Sequence, residues 1–202
     1  MLNTNTYFPQ LKIFEGSISF MYVDSTGNVT VGVGNMLPNA AAAQNLAFQR
    51  RADPTAAPPI TAARSATAAE ILSDFNNVAR QAQGQRAGFY KQFTKLDLPE
   101  TAIDALLQTR VTEFSTGLTA VFPDFDDYPE QVCAALFDMA FNLGLTKLTT
   151  EFPKFCAAVK RRDWATASAE CRRIGIQESR NTWTKTQFEQ AATAGNAQAA
   201  TQ

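Results

Sequence analysis

The segment PEQVCAALFDMAFNLG, residues 129–144, leaves a helix little choice of surroundings. Beyond Glu130 and Gln131 in its first turn, its apolar residues go round the whole circumference at helical spacing, broken only by Asp138 and Asn142. A helix without a polar face is stable only when other elements cover it on every side. The chain must therefore build a lobe of helices around this segment.

The neighbouring sequence supplies those helices. LPETAIDALLQTRVTEFSTGL places Pro99 in a favourable first turn and carries Ile103, Leu106, Leu107, Val111 and Phe114 on one side. TEFPKFCAAVKRR and DWATASAECRRI read as two helices joined at Arg162-Asp163, with Asp163 as N-cap. SRNTWTKTQFEQAA adds a last helix, and residues 193–202 have nothing to bury and read as a disordered tail. Earlier in the chain, SATAAEILSDFNNVARQA opens on Ser65 or Thr67 as a cap and spaces Ile71, Leu72, Phe75 and Val78 helically. Phe137, Phe141, Phe152, Phe155 and Trp164 recur at the same spacing and read as core.

The first 35 residues differ. A short helix ends at Glu15-Gly16, and two β-prone runs, SISFMYVD and NVTVGVG, flank a turn containing Gly27-Asn28. Alternation puts Val29, Val31 and Val33 on one face of the second run and Thr30, Gly32 and Gly34 on the other. The second face carries no bulk, as expected where a ligand or another backbone approaches closely. Residues 39–63 are Ala-rich and interrupted by Pro54, Pro58 and Pro59, which suggests an exposed loop with a short helix. The expected architecture is α+β, mainly helical: one domain over 1–192, with a small hairpin lobe over about 8–38, an insertion over about 39–97 and a helical lobe over about 98–192.

Composition removes several chemistries. The 202 residues include no histidine, which excludes Ser-His-Asp and Cys-His catalysis and imidazole metal sites. Acid–base work falls to carboxylates, Lys, Tyr or Cys. Cys133, Cys156 and Cys171 lack CxxC spacing, which argues against zinc. They read as buried small residues, with a Cys156–Cys171 bridge as the alternative. A net charge of −1 with no basic stripe argues against nucleic acid, and no apolar run is long enough to span a bilayer. The N-terminal residues lack the basic and apolar regions of a signal peptide. GVGN does not open a helix in a Gly-x-Gly-x-x-Gly pattern, so a phosphate turn is set aside. Neither a cofactor nor a metal is expected.

Glu15, Asp24 and Thr30 could be ordinary helix-end and turn residues. Around one bare surface they are also the parts of a glycosidase: an acid to protonate the leaving oxygen, a carboxylate that stays ionised, and a hydroxyl to hold water. Eight residues separate Glu15 from Asp24 and five separate Asp24 from Thr30. This spacing, within EG…Y-x-D…G…T-x-G-x-G, resembles the active-site hairpin of the phage-type lysozymes, or endolysins. The resemblance extends over about 8–38 and 98–192.

It implies a lysozyme-like fold and a muramidase that cleaves peptidoglycan between N-acetylmuramic acid and N-acetylglucosamine. Glu15 would be the general acid, with Asp24 and Thr30 positioning water on the opposite face of the sugar, hence inversion. ALFDMAFNLG resembles the central helix of the family, whose polar residue before Leu-Gly faces the cleft, here Asn142. ESRNTWTKTQFEQA resembles a late segment whose Arg borders the cleft, here Arg180. Tyr22 alternates with Asp24 on one strand face and joins Gly32 as an expected sugar contact. Asn35 stands where the family often has His. Asp138, one turn before Asn142, is either a cleft group or the buried partner of an Arg.

Two other readings share these residues: a lytic transglycosylase, which needs one acid and no water, and a degenerate lysozyme-like module that binds glycan or a partner. The near-neutral charge and absent signal peptide fit a monomer released by lysis or carried by a larger polypeptide. One such case is an antibacterial toxin injected by type VI-like secretion and matched by an immunity protein. Its partner would be the glycan strands of a target cell's periplasm or wall.

Overall fold

The computed structural model describes residues 4–199. In chain order the first elements are α1 (Thr4–Glu15), β1 (Ile18–Val23), β2 (Val29–Gly32), β3 (Asn35–Met36), α2 (Ala40–Gln44), β4 (Gln49–Arg50) and β5 (Arg64–Ser65). They are followed by α3 (Ala68–Ala79), α4 (Ala87–Tyr90), β6 (Leu96–Asp97), α5 (Glu100–Val121) and α6 (Glu130–Leu143). The chain ends in α7 (Leu145–Glu151), α8 (Pro153–Lys160), α9 (Trp164–Glu170) and α10 (Glu178–Ala199). The fold is α+β and mainly helical, with two small antiparallel three-stranded sheets.

Two compact units emerge: Met1–Phe14 with Thr109–Gln202, and Glu15–Gln108. The division falls inside α1 and α5 rather than near residues 38 and 98. Residues 8–14 belong with the C-terminal helices because Tyr7 packs on Phe137 and Trp183, and Phe14 on Trp183. In the same helical unit every residue of α6 from Val132 to Ala140 is buried, Asp138 included, as its all-round apolar pattern requires. Helix α10 packs on α6 and α9, and α8 on α9. Asp163 caps α9 by accepting the Thr166 N–H at 3.0 Å.

Helix α10 runs on to Ala199, so the expected disordered tail is helical over 193–199; residues 200–202 lie outside the described residues. An Ala-rich sequence adds to an existing helix at low cost, even with no apolar face to bury. All three thiols are free and buried, so the Cys156–Cys171 bridge is not formed. Cys156 Sγ donates to the Leu148 carbonyl and Cys171 Sγ to that of Ser168. Burial pushes the Cys133 and Cys171 thiols up to about 11. Among the described residues no single helix is long and apolar enough to cross a membrane.

In the second unit, residues 39–97, read from the sequence as an insertion, pack closely on the hairpin. Helices α3 and α4 and strand β6 all pack on β1, and Phe48 and Ala43 are buried. Leu98 N–H donates to the Ser19 carbonyl at 2.6 Å, and Ser19 Oγ to Asp97 Oδ1 at 2.9 Å. These residues are the body against which the hairpin is held. Strands β4, β5 and β6, of two residues each, form the second sheet in the order β5-β4-β6.

Thr67, not Ser65, caps α3. Its hydroxyl accepts the Glu70 N–H while Glu70 Oε2 accepts the Thr67 N–H at 2.8 Å, a reciprocal box that satisfies two helix-end donors. Arg64 grips the same carboxylate through Nη1 at 2.9 Å and Nη2 at 2.6 Å. The Arg64 hydrogen bond and the Thr67 donors hold the Glu70 carboxyl at about 2, against an ordinary 4.5. A depressed carboxyl stabilises the fold fully above its unfolded value, and that contribution is lost as pH falls through the folded value. Glu70→Gln is therefore expected to lower stability above pH 4.5 and to narrow its gap to wild type as pH falls toward 2. Denaturant midpoints across that range measure it; a gap independent of pH would contradict the assignment.

Candidate functional site

Glu15, Tyr22, Asp24, Thr30, Gly32 and Asn35 all lie in the second unit, on α1's last residue and the β1–β2–β3 sheet. Pairing sets Tyr22 opposite Thr30 and Val23 opposite Val29, with an irregularity between Ile18 and Tyr22. Thr30 also faces Met36 on β3, and Val31 faces Asn35.

The turn between β1 and β2 is organised by Asp24. Its Oδ1 accepts from Thr26 N–H at 2.9 Å, Thr26 Oγ1 at 2.8 Å and Asn28 N–H at 2.9 Å. The Asp24 N–H donates to the Asn28 carbonyl at 2.9 Å, closing the loop. Gly27 takes φ +88° there, a conformation that favours glycine. Oδ2 points to the other side of the carboxylate, where Thr30 Oγ1 approaches at 3.3 Å. That hydroxyl has one proton, shared between Asp24 Oδ2 and the Asn28 carbonyl at 3.2 Å. Burial by itself would raise the Asp24 carboxyl, but the donors from Asn28, Thr26 and Thr30 outweigh it and hold the group below its ordinary value. Asp24 is thus an ionised carboxylate at neutral pH, fixed in orientation by its own turn.

Tyr22 is partly buried two residues earlier. Burial, then the negative charges of Asp24 and Glu15, push its phenol up, so it remains a neutral O–H donor. Glu15 itself is exposed at the C-terminal end of α1, close enough for its charge to be felt at Tyr22. Asp24 in the turn and Glu15 at the end of α1 therefore both bear on the Tyr22 phenol of β1.

The bare strand face is not present. β2 stops at Gly32, and Gly32 and Gly34 take φ +67° and +66° in the turn to β3. The glycines serve a reversal of the chain that alternation alone does not reveal. A Cβ on Gly32 would meet Ile103 Cγ2 at 3.5 Å, so Gly32 rests against α5 rather than open space. Thr30 is only 2% exposed, and Asn35 is half-buried on β3.

Asn142 and Arg180 lie in the helical unit, around Asp138. Asp138 is fully buried and is the partner of two arginines, which settles the alternative left by the sequence. Oδ2 receives Arg173 Nη2 at 2.7 Å and Thr184 Oγ1 at 3.0 Å; Oδ1 receives Arg180 Nε at 3.0 Å. Arg180 is 5% exposed, with its guanidinium 5.2 Å from the Phe14 ring centre. Its expected role toward substrate gives way to this core contact. Asn142 Oδ1 accepts from Arg173 Nη1 at 3.4 Å. Arg173 was not singled out by the sequence, where an Arg near a helix end has no mark of burial; it is 1% exposed and anchors the network.

Among the described residues no group of three His, Cys, Asp or Glu side chains could hold a metal ion. The chemistry open to the hairpin is proton donation by Glu15, charge stabilisation or water activation by Asp24, and hydrogen bonding by Thr30 and Tyr22. No protein-family model matches the chain, and no curated protein matches it significantly.

Proposed function

We propose that the chain is a muramidase, a glycosidase of the lysozyme kind acting on peptidoglycan. The observation that carries this reading is a carboxylate, Asp24, held ionised by four donors beside a neutral phenol, Tyr22, that also feels the charge of Glu15 at the end of α1. Glycoside hydrolysis needs one carboxyl to give a proton and one to stay charged. Glu15 protonates the glycosidic oxygen as the bond to the anomeric carbon breaks. Asp24 Oδ2 and Thr30 Oγ1 hold the water that attacks the opposite face, and Asp24 takes up its proton. The Tyr22 phenol, kept protonated, donates to a sugar oxygen.

A second reading has its own support. Three donors on Asp24 Oδ1 make that residue a turn organiser whether or not it reacts, and Asn35 replaces the histidine that the resembling family often has. A glycan-binding module without activity fits both facts. Purified walls distinguish the readings. A muramidase clears the suspension and releases fragments with reducing N-acetylmuramic acid ends, each one water heavier than its linkage. Anhydro ends would make the chain a transglycosylase, and wall binding without soluble fragments would sink the enzymatic reading.

The site of action in this proposal is the wall of a target bacterium. With net charge −1 the chain has little electrostatic steering toward an anionic wall. Release by lysis, or delivery as a toxin by contact-dependent secretion with an immunity protein in the producer, supplies the encounter instead.

A further inference from the structure

A cavity of about 670 Å³ opens in the second unit, bounded on one side by residues 56–64 and on the other by α3 and the start of β6. This volume suits a small ligand. The loop side is Ala56, Ala57, Pro58, Pro59 and Ile60: small, aliphatic and without an aromatic ring. Sugars are usually held by stacking on aromatic faces, so the wall favours short aliphatic groups.

The opposite side carries both signs of charge. Asp74 is 4% exposed, and its Oδ2 accepts Thr94 Oγ1 at 2.6 Å, Lys95 N–H at 2.6 Å and Leu96 N–H at 3.0 Å. All three of these donors go to Oδ2, which leaves Oδ1 as the carboxylate oxygen open to the cavity that Asp74 lines. Arg50, 6% exposed, is held loosely: its contacts to the Arg51 and Lys95 carbonyls and to Asp53 measure 3.3–3.4 Å, and its Nε lies 3.9 Å from Glu70. Two of its five N–H groups, the one on Nε and one on Nη2, therefore have no acceptor within hydrogen-bond distance among the described residues. Arg64 and Glu70 neutralise each other, and the exposed Lys95 adds a mobile cation at the rim.

The geometry points to a binding site for a short zwitterionic peptide with small side chains. Its ammonium or N–H donates to Asp74 Oδ1, its carboxylate accepts from Arg50 and Lys95, and its methyl-sized side chains lie on the Ala-Pro wall. Free dipeptides and the alanine-rich peptides cross-linking a bacterial wall share this chemistry. Choosing the wall peptide as the natural source rests on the muramidase reading; binding itself does not.

The test uses the isotope-labelled chain and amide chemical shifts on titration with Ala-Ala. Expected shifts fall on residues 56–64, 70–77 and 95–96, and the doubly blocked, uncharged dipeptide binds at least tenfold more weakly. Ala57→Leu, which narrows the cavity without touching a charge, abolishes the shifts; Asp74→Asn weakens them if its melting temperature shows that it folds. A soluble muropeptide carrying its peptide should compete when the wall is the source, and failure of this arm alone leaves free peptides. Equal binding of the blocked dipeptide, the same shifts with an N-acetylglucosamine oligomer, or no shifts at millimolar Ala-Ala would overturn the proposal. None of these readings depends on lysis, so a chain inactive on walls can still bind and an active one can fail to.

Discussion

Glu15→Gln is expected to reduce wall clearing by about 10²–10⁴-fold, the usual contribution of a positioned general acid. The amide keeps the size and hydrogen-bonding reach of the side chain but has no proton to give the leaving oxygen. Glu15 is exposed, so the variant should keep the fold, and its denaturant midpoint beside wild type separates lost activity from lost structure. The same pair tests the site of action. Exported to the periplasm of a susceptible bacterium, wild type should lyse the cells and the Gln variant should not. Full clearing by Glu15→Gln would remove Glu15 from the mechanism, and equal toxicity of both forms would separate any toxicity from glycoside cleavage.

The largest loss of stability is expected from Asp138→Ala. Removing this carboxylate leaves Arg173 and Arg180, 1% and 5% exposed, without the anion that both share. Breaking a buried charge network by deleting one member typically costs about 3–5 kcal/mol. A domain of ordinary stability has only about 5–15 kcal/mol in total. Denaturant unfolding should show the loss directly, and a change below about 1 kcal/mol would mean that water or a rearranged side chain replaces the carboxylate. The two predictions are complementary: one substitution removes activity with the fold kept, and the other removes the fold far from the hairpin in sequence.

Both residues were visible in the sequence, but for different reasons and to different depths. Asp138 stood out as one of two breaks in an apolar helix, yet its partners could not be read. Arg173 is 35 positions away, and an ion pair over that separation leaves no local pattern. The hairpin was legible because β-prone runs around a Gly-Asn turn are a short-range signal. Its second turn was not, since VTVGVG alternates like a strand while two of its glycines have positive φ. Strands of two residues, as in the second sheet, are too short to show a period of two, so the body of that unit looked like an insertion. At Asp24 a turn residue and a site residue have the same sequence signature, and its donors, three on Oδ1 and one on Oδ2, could not be read from it.

The helical unit is assembled from both ends of the chain, with 94 intervening residues, 15–108, in the other unit. During synthesis Tyr7 and Phe14 are made about 170 residues before their ring partner Trp183. At about 5–20 residues per second that is a wait of roughly 10–30 s. The hairpin and its supporting helices can fold within this interval, while the first helix has nothing to pack on. The turn that carries Asp24 and Thr30 can therefore form before the helical unit closes, and α10 is the element that completes the packing of α1.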